Sequence, residues 1–201
     1  MTFDFLIETY ATEREKVLSV WSQFRDEDLP WRPPDAQRRG RSVLEQFVHQ
    51  CVSEDLWFKN MLGIDLALPP LPKKETRLEF LRIYADRSEK RLQQLRERPE
   101  VWWTGETNFF EVKRSRAWVM VRRMTHTSHH RGQLSAYLRV LGRDVWSTYG
   151  PTSDTGGLMA HKAPVVYPYD SMDALLRAEE SGGAKKPLPG IPKDKNYTER
   201  P

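Results

Sequence analysis

Four long stretches of this chain place apolar residues at helical spacing, in the first at steps of three, four or seven. That spacing marks amphipathic helices, each with one stripe that must be covered. In the first, the stripe is Phe3, Leu6, Tyr10, Val17, Trp21 and Phe24, with Thr2 as the expected cap. The second starts at Ser42, with Glu45 three residues on as in a capping box, and runs to about Leu62 before Gly63. The third spans about Glu75 to Arg98 and buries Leu78, Leu81, Tyr84, Leu92 and Leu95; Pro99 stops it. The fourth and longest runs from Ser115 to Leu141 and ends at Gly142.

Four such stripes covering one another define an all-α four-helix bundle. Asp26 to Gly40, with Pro30, Pro33 and Pro34, reads as a long loop. The proline-rich connection Leu66–Pro72 is long enough for a crossover between helices two and three. Val101–Trp103 and Asn108–Val112 read as a small extended pair or a packed loop. The expected organisation is a bundle over residues 1–155, then a strap and short helix over 156–180, then a flexible basic tail over 181–201. Ala163–Tyr169 supplies the strap, and Ser171–Glu180 the helix.

Composition narrows the class. No apolar run is long enough to span a bilayer, and no signal peptide is expected at the N-terminus. A single cysteine excludes an internal disulfide and fits a reducing cytoplasm. The net charge is +4, but residues 181–201 hold five cations against two acids, so the body of the chain is close to neutral. Basic residues there interleave with acids, as on a solvated helix surface, and nucleic acid is not the expected partner. Binding through the basic tail ranks last among the readings, and no membrane partner is expected.

The chemistry centres on the run His126-Thr-Ser-His129-His130-Arg131-Gly132-Gln133. His126 and His130 stand four residues apart, about 40° around one helical face, so two imidazoles can share an ion. A third ligand must come from elsewhere. His49, in the second helix on a face with Val52 and Leu56, is the best candidate. Three neutral imidazoles suit a divalent transition ion such as Zn²⁺ or Ni²⁺ and leave a position open. The alternative is a set of hydrogen-bonded interior histidines. His129 points to the helix flank, and His161 lies in an irregular segment facing solvent.

Arg131 and Gln133 can hold a substrate carboxylate or orient a ligand, though Arg131 reads slightly better as a surface or interface ion-pair residue. Glu54 and Asp55 can accept from a ligand, yet a solvated face is the simpler reading for both. Cys51 sits about 200° around the helix from His49 and reads as a buried structural thiol. Tyr10, Glu13 and Arg14 interrupt the first stripe and mark either a pocket floor or an exposed edge.

A histidine on the second helix followed by HxxxHRGQ on the fourth resembles the DinB/YfiT-like metal-binding bundles. Leu134–Arg139, Leu141-Gly142, Ser147–Thr152, Trp31-Arg-Pro33 and Arg41-Ser42 extend the likeness over roughly Met1–Thr155. It implies a crossed bundle with His49, His126 and His130 as ligands. It also implies a homodimer, with Trp102 and Trp103 available to an interface. Members include transferases and isomerases that use a low-molecular-weight thiol. The resemblance thus implies a metal-dependent thiol S-transferase acting on a small-molecule electrophile. The second reading is a non-catalytic, stress-associated dimeric binding protein whose metal is structural or incidental.

Overall fold

The computed structural model describes residues 2–34 and 39–194. It contains helices α1 (Asp4–Trp21), α2 (Val43–Asn60), α3 (Arg77–Arg96) and the short α4 (Glu100–Thr104). The strands β1 (Glu106–Phe109) and β2 (Val112–Ser115) follow, then α5 (Arg116–Val140) and α6 (Met172–Glu180). The expected fourth helix is therefore α5. Ser42 accepts from the Glu45 amide while the Glu45 carboxylate accepts from the Ser42 amide, so the capping box of α2 is closed. Thr76, Ser115 and Ser171 cap α3, α5 and α6, each side chain accepting from the amide three residues on. Two local expectations change. Phe3, not Thr2, precedes α1, and it provides no side-chain cap. Val101–Trp103 is helical, and only the residues after it form the extended pair.

The four long helices stand at the corners of a square. α1 packs on α3 and α5, and α2 packs on the same two. Their directions follow from the core. Trp21, at the end of α1, stacks on Phe47 near the start of α2 at 4.2 Å and meets Phe80 near the start of α3. At the other end, Leu6 and Ile7 join Phe58 and Leu62, Leu92 and Leu95, and Val119 and Met120. α2 and α3 thus run parallel, against α1 and α5. The chain must return the length of α2, about 27 Å at 1.5 Å per residue. Residues 61–76, held extended by Pro69, Pro70 and Pro72, carry out that crossover.

The two apolar halves of the core are separated by a buried polar belt. Glu54 of α2 is 1% exposed. Its carboxylate accepts from Tyr10 (2.7 Å), Tyr84 (3.2 Å) and Arg91 (3.3 Å), and Arg123 of α5 lies 3.7 Å away. Every long helix contributes to this one group. The solvated face expected for Glu54 is therefore corrected: the carboxylate is interior, because four partners replace its water. The polar break in α1 resolves likewise. Glu13 pairs with Arg131, and Arg14 bonds Ser88 and Glu89, all within helix interfaces.

Residues beyond α5 cover the α1/α3 face. α6 packs on α3 and α1, and Val166 exchanges two hydrogen bonds with Ser147. Trp146 donates to the Lys186 carbonyl and Gly190 to that of Asp154. On the opposite side, between α2 and α5, the segment before α2 meets α5: Trp31 packs on Tyr137, whose hydroxyl donates to the Arg41 carbonyl.

Glu54→Ala would leave Arg91 and Arg123 buried without their carboxylate. A loss of about 3–5 kcal/mol is expected, as for a buried ion pair broken on one side. Urea denaturation of the variant beside the parent measures it.

Candidate metal centre

The α2/α5 groove holds the three histidines. His49 comes from α2, and His126 and His130 come from one face of α5. One ligand atom from each lies within 4.8 Å of the others. The ring centroids are 4.6 Å apart for His49 and His130, 5.4 Å for His49 and His126, and 4.5 Å for His126 and His130. Tertiary packing thus supplies what helical spacing could not, the approach of His49 to the α5 pair.

The donor atoms fit a divalent ion. Nε2 of His126 and Nε2 of His130 are 3.2 Å apart. Two nitrogens bound at about 2.0–2.1 Å around a tetrahedral ion sit about 3.4 Å apart, so little movement is needed. His130 Nδ1 contacts Gln133 Oε1 at 3.0 Å, and that oxygen also accepts from Gln46 Nε2 at 2.9 Å. The amide oxygen therefore accepts from Nδ1–H, and Nε2 presents its lone pair to the groove. His49 Nε2 is buried with no hydrogen-bond partner, an orphan that an ion would satisfy.

The surroundings keep the three rings neutral. Burial holds all three imidazoles below their ordinary range, His126 at about 3 and His130 at about 4. Cations add to this: Arg41 and Arg123 act on His49, Arg123 and Arg122 on His126, and Arg41 on His130. Neutral imidazole is the form a metal requires, and the same positive field favours an anion in the open position.

Other candidates separate clearly. His129 is exposed and His161 half-buried in a 3-10 turn. Arg131 is buried on the α1 side, bonded to Glu13 and Ser128 and laid over Tyr149 at 4.5 Å. It turns away from the groove because one residue past His130 is a quarter-turn around α5. Its partner shows the effect: burial raises the Glu13 carboxyl, but the hydrogen bond and charge of Arg131, with hydrogen bonds from Lys16 and Ser128, together hold it below its usual range. Gln133 stays at the site. Glu54 reaches it only through Arg123, which also bonds Ser53 and Thr127 and lies 5.7 Å from the Trp57 ring centre. Cys51 is buried among apolar residues, and burial pushes its thiol well up. Leu56 is 49% exposed, so the histidine face of α2 lies at the groove's edge. Trp103 is wholly buried and unavailable to an interface, contrary to expectation; it packs on Phe3 and Trp102.

Sequence reasoning missed Gln46, Arg123 and Trp57. Gln46 precedes His49 by three residues and Arg123 precedes His126 by three. The same-face rule that found the ligands would have found them too. Trp57, two turns beyond His49, stacks nearly parallel on His126, 22° off at 5.7 Å.

A four-helix bundle of up-down-down-up course, with three histidines between its second and last long helices, defines the class of this protein. A family model described as the DinB family matches residues 2–157, and the chain belongs to that family. Among solved structures it is similar to a DinB-like protein from Bacillus cereus ATCC 10987, at 16% identity and a TM-score of 0.63. That match covers 72% of this chain and 95% of the other. A DinB-like protein from Bacillus subtilis matches at 19% identity and a TM-score of 0.56, covering 69% and 92%. At these identities the likeness is one of fold. No curated protein matches. Among the described residues no helix is long and apolar enough to cross a membrane.

The depressed imidazoles set a pH dependence. Unfolded histidine protonates near about 6.5, whereas His126 and His130 stay neutral in the fold to about 3 and about 4. Between those limits the unfolded state binds more protons, so metal-free stability falls as pH drops below about 6.5 and is unaffected above it. Denaturation midpoints between pH 7.5 and 5 should show this fall. A His126→Gln, His130→Gln double variant should show a shallower one.

Proposed function

We propose that this chain binds one divalent transition ion, Zn²⁺ or Ni²⁺, through His49, His126 and His130. We propose further that it transfers a low-molecular-weight thiol to small electrophiles. The observation that carries the reading is the convergence of three neutral imidazoles between α2 and α5, with one ligand atom of each within 4.8 Å of the others. Such an ion supplies Lewis acidity, lowering the pKa of a thiol or water that shares the site.

The chain's own groups do the rest. Gln133, steadied by Gln46, holds the proton of His130 on Nδ1. Arg41, Arg122 and Arg123 provide the positive field that draws an anionic sulfur into the groove. In the transfer, the sulfur–carbon bond forms as the carbon–leaving-group bond breaks, and the leaving group departs with the electron pair. α6 packs on α3 and α1, away from the helix pair that carries the histidines. Family membership supports a homodimer, and the single cysteine a cytoplasmic setting, as parts of the same proposal.

Metal analysis of the untagged protein by mass spectrometry should find close to one divalent ion per chain, and His49→Ala should lose it. A thiol-conjugation assay with a general electrophile should then run faster with the metal-loaded parent than with His126→Ala. Equal rates would remove the transferase step and leave a metal-binding protein.

A further inference from the structure

An aromatic wall stands beside the histidines, and the metal reading makes no use of it. Trp57 stacks on His126 and is met edge-on by Phe109 at 5.3 Å and Phe110 at 6.4 Å. Phe109 in turn contacts Phe110 and Trp118, each at 4.9 Å. Trp57 comes from α2, the two phenylalanines from the β1–β2 hairpin, and Trp118 from α5. Three separate elements thus converge on one apolar surface that is continuous with the metal centre.

The wall is not core. Phe110 is 70% exposed and Trp118 is 40% exposed, while Trp57 and Phe109 are half-buried. Phe110 holds φ +52° at the tip of the hairpin, a left-handed position that favours glycine or asparagine. A phenylalanine there gains only edge contacts with Trp57 and Phe109 and stays mostly exposed, a small return for its ring at the tip. Contact with something outside the fold would supply a larger one. Cations border the same region. Arg114 lies over Trp118 at 5.4 Å, and Arg122 acts on His126. A surface with an electropositive, ligand-accepting end and an aromatic side matches one kind of small molecule.

We propose that the groove takes an anion bearing a flat apolar group, with its charged head at the three histidines and its ring against Trp57, Phe109, Phe110 and Trp118. The position of the head rests on the metal reading; the wall does not. Phe110 and Trp118 are then specificity-determining residues, and the hairpin exists to carry the aromatic side of the site. Compounds with the same head and no ring bind weakly.

The test uses the full chain loaded with Co²⁺, followed by its visible absorption. Benzohydroxamate and acetohydroxamate share one anionic head and differ in the ring. The parent should prefer benzohydroxamate by at least about tenfold, a difference within reach of one buried ring. Phe110→Gly, which suits the backbone and removes the ring, should take up Co²⁺ as the parent does and lose most of that preference. Trp118→Ala should lose part of it. Equal binding of the two hydroxamates by the Co²⁺-loaded parent would overturn the proposal while leaving the metal reading intact. If Co²⁺ is not retained, the metal reading fails. The wall is then tested alone with benzoate against acetate, by saturation-transfer NMR on the metal-free chain. Benzoate binding that Phe110→Gly abolishes would support the wall, and no binding would overturn it. A parent dimer that Phe110→Gly converts to monomer would also overturn it, since the wall would then be a contact between copies.

Discussion

A single buried carboxylate, Glu54, ties the four long helices together. Tyr10 of α1, Tyr84 and Arg91 of α3 and Arg123 of α5 all turn toward it. Hydrophobic burial alone would tolerate sliding of one helix against another by a fraction of a turn, because apolar contacts are not directional. A buried charge is less forgiving. Each partner must arrive at hydrogen-bonding distance, or a charge stays buried and unpaired. The belt therefore sets the axial register of the bundle, with an apolar cluster packed above it and another below.

The histidine cluster inherits that register. His49 lies just over one turn from Glu54 on α2, and His126 lies one turn from Arg123 on α5. Arg123 spans the two networks, touching Glu54 on one side and Ser53, Thr127 and Trp57 on the other. The approach of His49 to the α5 pair is thus a consequence of how α2 and α5 are pinned. The arrangement also explains the electrostatics. Burial discourages charge on the rings, while the nearest formal charges, the arginines, discourage it further. A cluster of bases held neutral, with one ligand atom of each within 4.8 Å of the others, is poised for a cation and for an anion behind it.

The chain's course keeps this groove open. Because α2 and α3 run parallel, the crossover occupies residues 61–76, and the segments after α5 fold back over α1 and α3. Among the described residues, the β1–β2 hairpin brings phenylalanines to the histidine side, and the segment before α2 meets α5 there too, with Trp31 on Tyr137 and the Arg41 carbonyl accepting from the Tyr137 hydroxyl. The cover and the site are on opposite faces of one square bundle, so the family fold carries its C-terminal additions without obstructing the groove.

Local periodicity is written in the sequence, which is why the four helices, the Ser42–Glu45 box, the crossover and the shared face of His126 and His130 could be read from it. Those features depend on residues within a few positions of each other, where the 3.6-residue repeat is the controlling geometry. His49 as third member was legible through its place on the second helix and through the family resemblance. The rest depended on which helix faces which. Glu54 looked solvated because nothing near it in the chain is its partner; Tyr10, Tyr84, Arg91 and Arg123 lie between 30 and 69 residues away. Arg131 and Gln133, two residues apart, take opposite assignments because one faces α1 and the other α2. Trp103 read as an interface residue and is core for the same reason. A helix's own repeat says which residues share a side. Only the packed bundle decides what that side meets.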